Sequence, residues 1–293
     1  MSVNLSRTIL GLWRSREWGY SAQDLSGLIK QCIDLGITSF DHADIYGDYE
    51  CELLFGNALR IDPSIRKKMQ LVTKCGIKLL SSKYPDRKIK YYDTSKGHII
   101  KSVEKSLMNL STDYIDLLLI HRPDPFMNPD EVAEAFSELK ISGKVLEFGV
   151  SNFLPHQFNM LQSRLPFPLV TNQIEVSVLN HENFDNGNID FLLEKKIAPM
   201  VWSPLAGGKL FYDNSERTNN VRSLLYELAN KYNAPSIDSI ATSWLFVHPV
   251  NFTVIIGSGK IDRIKSAQHG EKINLSREDW FRVWTTYRGQ EVP

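Results

Sequence analysis

Asp41, Tyr46, Lys74 and His121 are residues of the types that together can protonate a carbonyl, and three of them close short apolar runs. A tyrosine hydroxyl titrates at about 10 and is a poor acid at neutrality, but a neighbouring ammonium stabilises the phenolate and lowers that value. Lys74 has the right type to supply the ammonium. A carboxylate beside the lysine would hold it charged and oriented, which suits Asp41. His121 can donate a hydrogen bond to a substrate oxygen and position it. Such a set has no redox agent of its own, so a hydride source such as a nicotinamide cofactor must complete the reaction. A metal centre built from Asp41, His42, Asp44 and His121 is the competing chemistry. It explains less, because it leaves Tyr46 and Lys74 without roles. Moreover, His156, His181, His248 and His269 fall in expected helices or loops rather than at strand ends.

The elements that must position these residues alternate along the whole chain. Eight apolar runs read as strands: 9–13, 37–41, 70–74, 114–121, 145–151, 169–175, 199–204 and 253–258. Amphipathic segments between them read as helices: about 22–35, with a capping box at Ser21 and Asp24 and a stop at Gly36, then 98–110, 129–142, 155–165, 189–196, 221–232, 237–246 and one beginning near Asp262. The run DLLLI is almost continuously apolar, as expected of a parallel strand covered on both faces. Eight strand–helix units with no glycine-rich turn after the first strand favour a closed (β/α)8 TIM barrel over an open doubly wound sheet. A further amphipathic segment, 277–288, is expected as an extra C-terminal helix. Its Trp280, Phe281 and Trp284 either line a substrate mouth or pack on the barrel.

In such a barrel chemistry sits at the carboxyl ends of the strands. Those ends are polar here: Asp41 with Tyr46 five residues on, Lys74, His121, Ser151 and Asn152, then Asn172, Gln173 and Glu175, then Trp202 and Ser203, and finally Gly257, Ser258, Gly259 and Lys260. The bulk properties add exclusions. The 293 residues suit one barrel domain over 1–293, and 34 basic against 34 acidic residues give no pull toward nucleic acid. The N-terminal apolar run is too short for a membrane span or a signal segment, so a cytoplasmic enzyme without a membrane partner is expected. Cys32, Cys51 and Cys75 have neither paired count nor CxxC spacing and read as buried thiols.

The segments FDHADIYG at 40–47, VTKCG at 72–76, DLLLIHRPDP at 116–125, GVSNF at 149–153, NQIE at 172–175 and WSPLAGG at 202–208 resemble, in order and spacing, the aldo-keto reductase family over nearly the whole chain. With IIGSGKIDRIKSA at 255–267, the sequence is similar to a bacterial branch of general aldo/keto reductases. The resemblance implies a catalytic tetrad of Asp41, Tyr46, Lys74 and His121, with Tyr46 as general acid in reduction and general base in reverse. It implies that Ser151, Asn152 and Gln173 bond the carboxamide of NADPH or NADP+. It further implies that Trp202 stacks on the nicotinamide, where many relatives carry tyrosine, and that Ser203, Leu205 and Gly207 border the pyrophosphate. Ser258 and Arg263, with Lys260 nearby, match the residues set around the 2′-phosphate, favouring NADPH over NADH. The lesser alternative for Lys260 and Arg263 is an ordinary charged helix start. Two positions depart from the family pattern: Gly257 replaces a lysine common before the serine, and Ala267 an amide residue four positions after the arginine.

The expected function is therefore NADPH-dependent reduction of an aldehyde or ketone, a small-molecule substrate, to an alcohol. The alternative is a nucleotide-sensing regulatory protein that keeps the cofactor site and turns over little, and the intact tetrad argues against it. Trp13, Trp18 and Tyr46 suggest an apolar pocket wall, while Arg122 either attracts an anion or anchors a loop. Substrate identity and oligomeric state are not encoded in any pattern of the chain.

Overall fold

The computed structural model describes residues 3–293. Eight strands, β1 (Thr8–Gly11), β2 (Ser39–Asp41), β3 (Gln70–Cys75), β4 (Ile115–Ile120), β5 (Val145–Ser151), β6 (Leu169–Glu175), β7 (Met200–Trp202) and β8 (Thr253–Ile256), form a closed parallel barrel in the order β1-β8-β7-β6-β5-β4-β3-β2. Ten helices of eight or more residues surround it: α1 (Ala22–Asp34), α2 (Cys51–Ile61), α3 (Lys96–Leu110), α4 (Pro129–Ile141), α5 (Pro155–Gln162), α6 (Asn188–Lys195), α7 (Glu216–Lys231), α8 (Ile237–Phe246), α9 (Ile261–His269) and α10 (Arg277–Arg288). This is the (β/α)8 TIM barrel with an extra C-terminal helix that the alternation of strand and helix patterns predicts. The chain divides into two compact units, Met1–Gln173 with Gly257–Gly259, and Ile174–Ile256 with Lys260–Pro293.

In the first unit, neighbouring strands run in parallel register, with Gly11 opposite Asp41, Asp41 opposite Val72, Lys74 opposite Leu119 and Ile120 opposite Val150. All six residues of β4 are buried. Its one charged member, Asp116, is satisfied at 2.8 Å by both Arg66 Nη2 and the Leu71 amide, so burial of a carboxylate is offset by two donors. The N-terminus of α1 carries the expected capping box. Ser21 Oγ accepts from the Asp24 amide at 3.1 Å, and Asp24 Oδ2 accepts from the Ser21 amide at 3.0 Å.

In the second unit the aromatic residues of α10 pack rather than stand open. Trp280 stacks on Trp244 of α8 with centroids 4.9 Å apart, and each indole nitrogen donates to the other residue's carbonyl, at 3.1 and 2.9 Å. His181 is sandwiched between Trp244 and Trp284 at 5.2 and 4.4 Å. Phe281 is left 42% exposed.

Several boundaries differ from the sequence reading. The first, seventh and eighth strands are shorter than 9–13, 199–204 and 253–258, because the chain leaves extended geometry as soon as parallel partners end. Ser203, for example, already has a left-handed φ of 50°. Helix α7 begins at Glu216, five residues before the expected 221, because Ser215 Oγ caps it on the Thr218 amide at 3.3 Å. Helix α2 and a small antiparallel ribbon pairing Ile77–Lys78 with Tyr91–Tyr92 were not expected at all. Cys32, Cys51 and Cys75 are free and buried.

Candidate active site

Lys74 lies at the centre of the polar strand ends of the first unit and is fully buried. Asp41 pairs with Val72, and Lys74, two residues further along β3, faces the same way as Val72. Lys74 Nζ reaches both Asp41 oxygens at 2.8 Å, the His42 carbonyl at 2.7 Å and Tyr46 Oη at 3.0 Å. An ammonium has three protons, so the two carboxylate oxygens share one while the carbonyl and the phenol oxygen take the others. Burial works against the charge on Lys74, but the Asp41 carboxylate, Tyr46 and their hydrogen bonds outweigh it and its pKa lies above the ordinary value. The lysine is therefore a fixed cation directed at the tyrosine.

Tyr46 is half-buried, with its ring 5.7 Å from the His121 ring in an edge contact and 6.5 Å from Trp13. The sequence reading expects the ammonium to bring the phenol's pKa down; the structure reverses the net direction. Burial pushes it up, the Lys74 charge pulls it down, Asp41 pushes it up again, and the result lies above the ordinary tyrosine value. At neutral pH this hydroxyl is a retained, oriented proton.

His121 follows β4, its amide donating to the Cys75 carbonyl at 2.9 Å. Burial, then the charges of Lys74, Arg122 and Lys90, hold its imidazole well below the usual range. It is a neutral ring whose buried Nδ1 has no protein partner. A neutral imidazole packed edge-on against the Tyr46 ring sets a second polar group next to the phenol.

The residues of the metal alternative do other things. The His42 ring is buried edge-on against Phe55 at 4.5 Å, with neither nitrogen bonded, and burial plus Lys74 take its pKa down to about 3. Asp44 accepts from Ser102 Oγ at 2.6 Å. Among the described residues no three histidine, cysteine or acidic side chains stand together as a ligand set.

The expected cofactor residues of the first unit form a connected group. Asn152, itself left-handed at φ 61°, donates from Nδ2 to Ser151 Oγ at 2.7 Å, and Ser151 Oγ donates to the Gln173 carbonyl at 3.0 Å. Gln173 Nε2 donates to Asp41 Oδ1 at 2.8 Å, a link to the tetrad that the sequence did not suggest. Ser258 is in this unit too, next to Gly259. In the second unit, Trp202 ends β7, and the turn after it has Ser203, Ala206, Gly207 and Gly208 all at positive φ, with Leu205 between them. A side chain at Gly207 would meet open space, so nothing of the protein covers that backbone. Lys260 stands at the N-cap position of α9 without a side-chain capping bond, and Arg263 is exposed in its first turn. The uncovered small residues and exposed cations of this unit are donors of the type a phosphate requires, and the linked Ser151, Asn152 and Gln173 of the first unit are polar groups of the type an amide requires. A surface cavity of about 480 Å3 includes His181, Arg217, Tyr287 and Arg288 in its lining and none of these candidate residues.

The sequence reading missed a second polar layer beneath the tetrad. Glu52 Oε1 accepts from Thr73 Oγ1 at 2.7 Å, and burial raises the Glu52 pKa. Its signal was present: Glu52, Phe55, Gly56 and Leu59 share one helical face, so the acid lies on the buried side.

A family model described as "Aldo/keto reductase family" matches residues 7–286. The chain is 53% identical over 291 residues to an uncharacterized oxidoreductase of Bacillus subtilis, YcsN, covering 99% of this chain and 97% of that protein. It is 46% identical to the oxidoreductase YdhF of Escherichia coli, covering 98% and 95%, and 40% identical to a 6-dehydroglucose reductase of Agrobacterium fabrum, covering 99% and 97%. Among solved structures it is similar in fold to the glycerol dehydrogenase AKR11B4 of Gluconobacter oxydans, with a TM-score of 0.85 at 23% identity over 100% of this chain and 95% of that one. An aldo/keto reductase of Klebsiella pneumoniae in complex with NADP and acetate gives 0.76 at 22% identity over 97% and 92%.

Proposed function

This chain belongs to the aldo/keto reductase family, and from that membership we propose that it reduces an aldehyde or ketone to an alcohol with NADPH, Tyr46 acting as the general acid. The observation that carries the proposal is the Lys74 ammonium bonded at once to Asp41, the His42 carbonyl and Tyr46 Oη. It leaves Tyr46 a defined donor geometry beside the neutral His121 ring. The relatives named as oxidoreductases support a redox reaction, and the NADP complex of a related fold supports the choice of nucleotide.

A bound dihydronicotinamide would supply the hydride. Each residue then has a separate task. Ser151, Asn152 and Gln173 hold the carboxamide, Trp202 offers a flat face to the ring, and Ser203, Leu205 and Gly207 present small groups and backbone to the pyrophosphate. Ser258, Lys260 and Arg263 meet the 2′-phosphate. His121 orients the carbonyl oxygen, Tyr46 Oη delivers its proton to the developing alkoxide, and Lys74 stabilises the phenolate left behind while Asp41 keeps the lysine charged and aimed.

The test is NADPH oxidation by the purified protein against a panel of small aldehydes and ketones, with Tyr46→Phe as control. Tyr46→Phe should lose about 10²- to 10⁴-fold in kcat, the usual worth of a positioned acid, with NADPH affinity unchanged because the hydroxyl acts in the transition state. Equal turnover in the variant would remove Tyr46 as the acid. Tight NADPH binding without turnover on any carbonyl would replace the enzyme with a nucleotide sensor.

A further inference from the structure

We propose that Glu50, held between Arg16 and Lys83, fixes the turn that carries Tyr46 and is thereby a positioning residue for proton transfer, an inference that rests on reading Tyr46 as the acid. Tyr46 is followed by three residues in left-handed conformation, Gly47 at φ 57°, Asp48 at 55° and Tyr49 at 66°. Side chains rarely adopt this region, and consecutive residues persist there only when their surroundings hold them. A Cβ at Gly47 would fall 2.5 Å from Cys51 Sγ, so this first position admits glycine alone.

The holding contacts are specific to the strained carbonyls. Gly47 O accepts from Arg16 Nη1 at 3.2 Å and Asp48 O accepts from Lys83 Nζ at 2.7 Å. The same two cations meet on one carboxylate, Arg16 Nη1 on Glu50 Oε2 at 3.0 Å and Lys83 Nζ on Oε1 at 2.6 Å. The third residue of the turn is held through its phenol, Tyr49 Oη accepting from the Leu79 amide at 3.0 Å and from Arg87 Nη1 at 2.7 Å.

Both cations have braced bases. Arg16 lies on the helical turn Ser15–Trp18, whose Trp18 ring packs so closely that a Cβ at Gly259 would lie 2.7 Å from it, and Tyr20 Oη donates to the Gly259 carbonyl at 2.7 Å. Lys83 belongs to the loop of the small ribbon, which Arg87 ties to the Leu79 carbonyl at 3.2 Å. Isolated exposed ion pairs contribute little. Here, however, the one carboxylate keeps two cations together, and without it they would repel each other away from the carbonyls they cap. The side chains of Arg16, Glu50 and Lys83 are 54%, 38% and 36% exposed, so salt reaches the clamp and screens it.

The experiment uses the full chain at saturating NADPH with one small aldehyde. Glu50→Gln should lower kcat about tenfold, since misplacement of an acid by a fraction of an ångström is enough for that. KM and NADPH affinity should stay within about twofold, the melting temperature should be nearly unchanged, and amide exchange over 46–50 should be faster. Wild-type kcat should fall between about 0.05 and about 0.5 M NaCl while that of Glu50→Gln stays flat. Arg16→Met and Lys83→Met should each lower kcat in the wild type and add little in the Glu50→Gln background. Normal kcat and normal exchange in a folded Glu50→Gln would overturn the proposal. Should that variant fail to fold, normal kcat and exchange in both cation variants would overturn it, and lowered values in both would uphold it. Tyr46→Phe in the same assay separates the two levels: retained reduction there refutes the acid assignment, whereas its loss together with a normal Glu50→Gln refutes only the clamp.

Discussion

Tyr46 keeps its proton across the neutral range because burial and the Asp41 charge outweigh the pull of Lys74, and this sets the direction in which each half-reaction depends on pH. Reduction needs the protonated phenol, so kcat/KM for a carbonyl should be level through neutrality and fall only on the alkaline side of the ordinary tyrosine value. Alcohol oxidation needs the phenolate and should rise over the same alkaline range. His121, held well below its usual range by burial and by neighbouring cations, is neutral throughout, so no inflection should occur at about 6.5, where a free imidazole titrates. An inflection there that disappears in His121→Asn would contradict the neutral assignment. That Asp41, Tyr46, Lys74 and His121 come together was legible in the sequence, because three of them terminate apolar runs and the fourth lies five positions on. The sign of the tyrosine shift was not. It depends on how much water reaches Oη, and no spacing of residues encodes desolvation. The Gln173 bond to Asp41 was hidden for a related reason, since it joins side chains 132 positions apart.

At the scale of elements, the loop from β2 and the helix α2 carry a buried acidic pair under the tetrad. Asp44 and Glu52 are both buried, with Ser102 and Thr73 each donating to one of their carboxylate oxygens. Burial raises the Asp44 pKa to about 7, the Ser102 hydrogen bond opposing it and the Glu52 charge adding to it. The folded protein therefore holds the Asp44 proton more tightly than the unfolded chain. That contribution is full below about 4, the unfolded carboxyl value, and is lost as pH rises through about 7. Asp44→Asn keeps an acceptor for Ser102 and removes the titration. It should be close to wild type in urea denaturation at or below about pH 4, and more stable by on the order of 3–4 kcal/mol at about pH 8. An equal difference at both pH values would show that Asp44 is not the titrating group. Helix α2 itself escaped the sequence reading because it starts directly from the left-handed turn, where Glu50 precedes it without a side-chain cap. Elements with a cap or proline start, such as α1, α4 and α10, were located to within a residue or two. The ribbon of two residues per strand is too short to show a period.

At the scale of the whole molecule, the alternation of strands and helices was enough to give the barrel, whereas the division of contacts into two units has no counterpart in composition or linker. The boundary falls inside β6, between Gln173 and Ile174, and the chain crosses it twice more, at 256/257 and 259/260. We propose that 1–293 unfolds as one cooperative domain. Buried and half-buried neutral histidines in each unit supply a way to test this. Burial, the largest cause in each case, lowers the pKa of His42 to about 3 and of His98 to about 4 in the first unit. It lowers His181 to about 3 and His248 to about 4 in the second. Each is protonated in the unfolded chain below about 6.5 but not in the fold, so stability should be lost as pH falls from there toward 3–4. His181→Phe keeps a flat ring between Trp244 and Trp284 and removes one of these proton sinks, and should therefore raise stability at about pH 5 relative to pH 7. If the chain is one cooperative domain, hydrogen exchange in β4 and α3, on the first unit, must gain the same protection as exchange in α7 and α8, on the second. Protection confined to the second unit would mean that the two halves open independently.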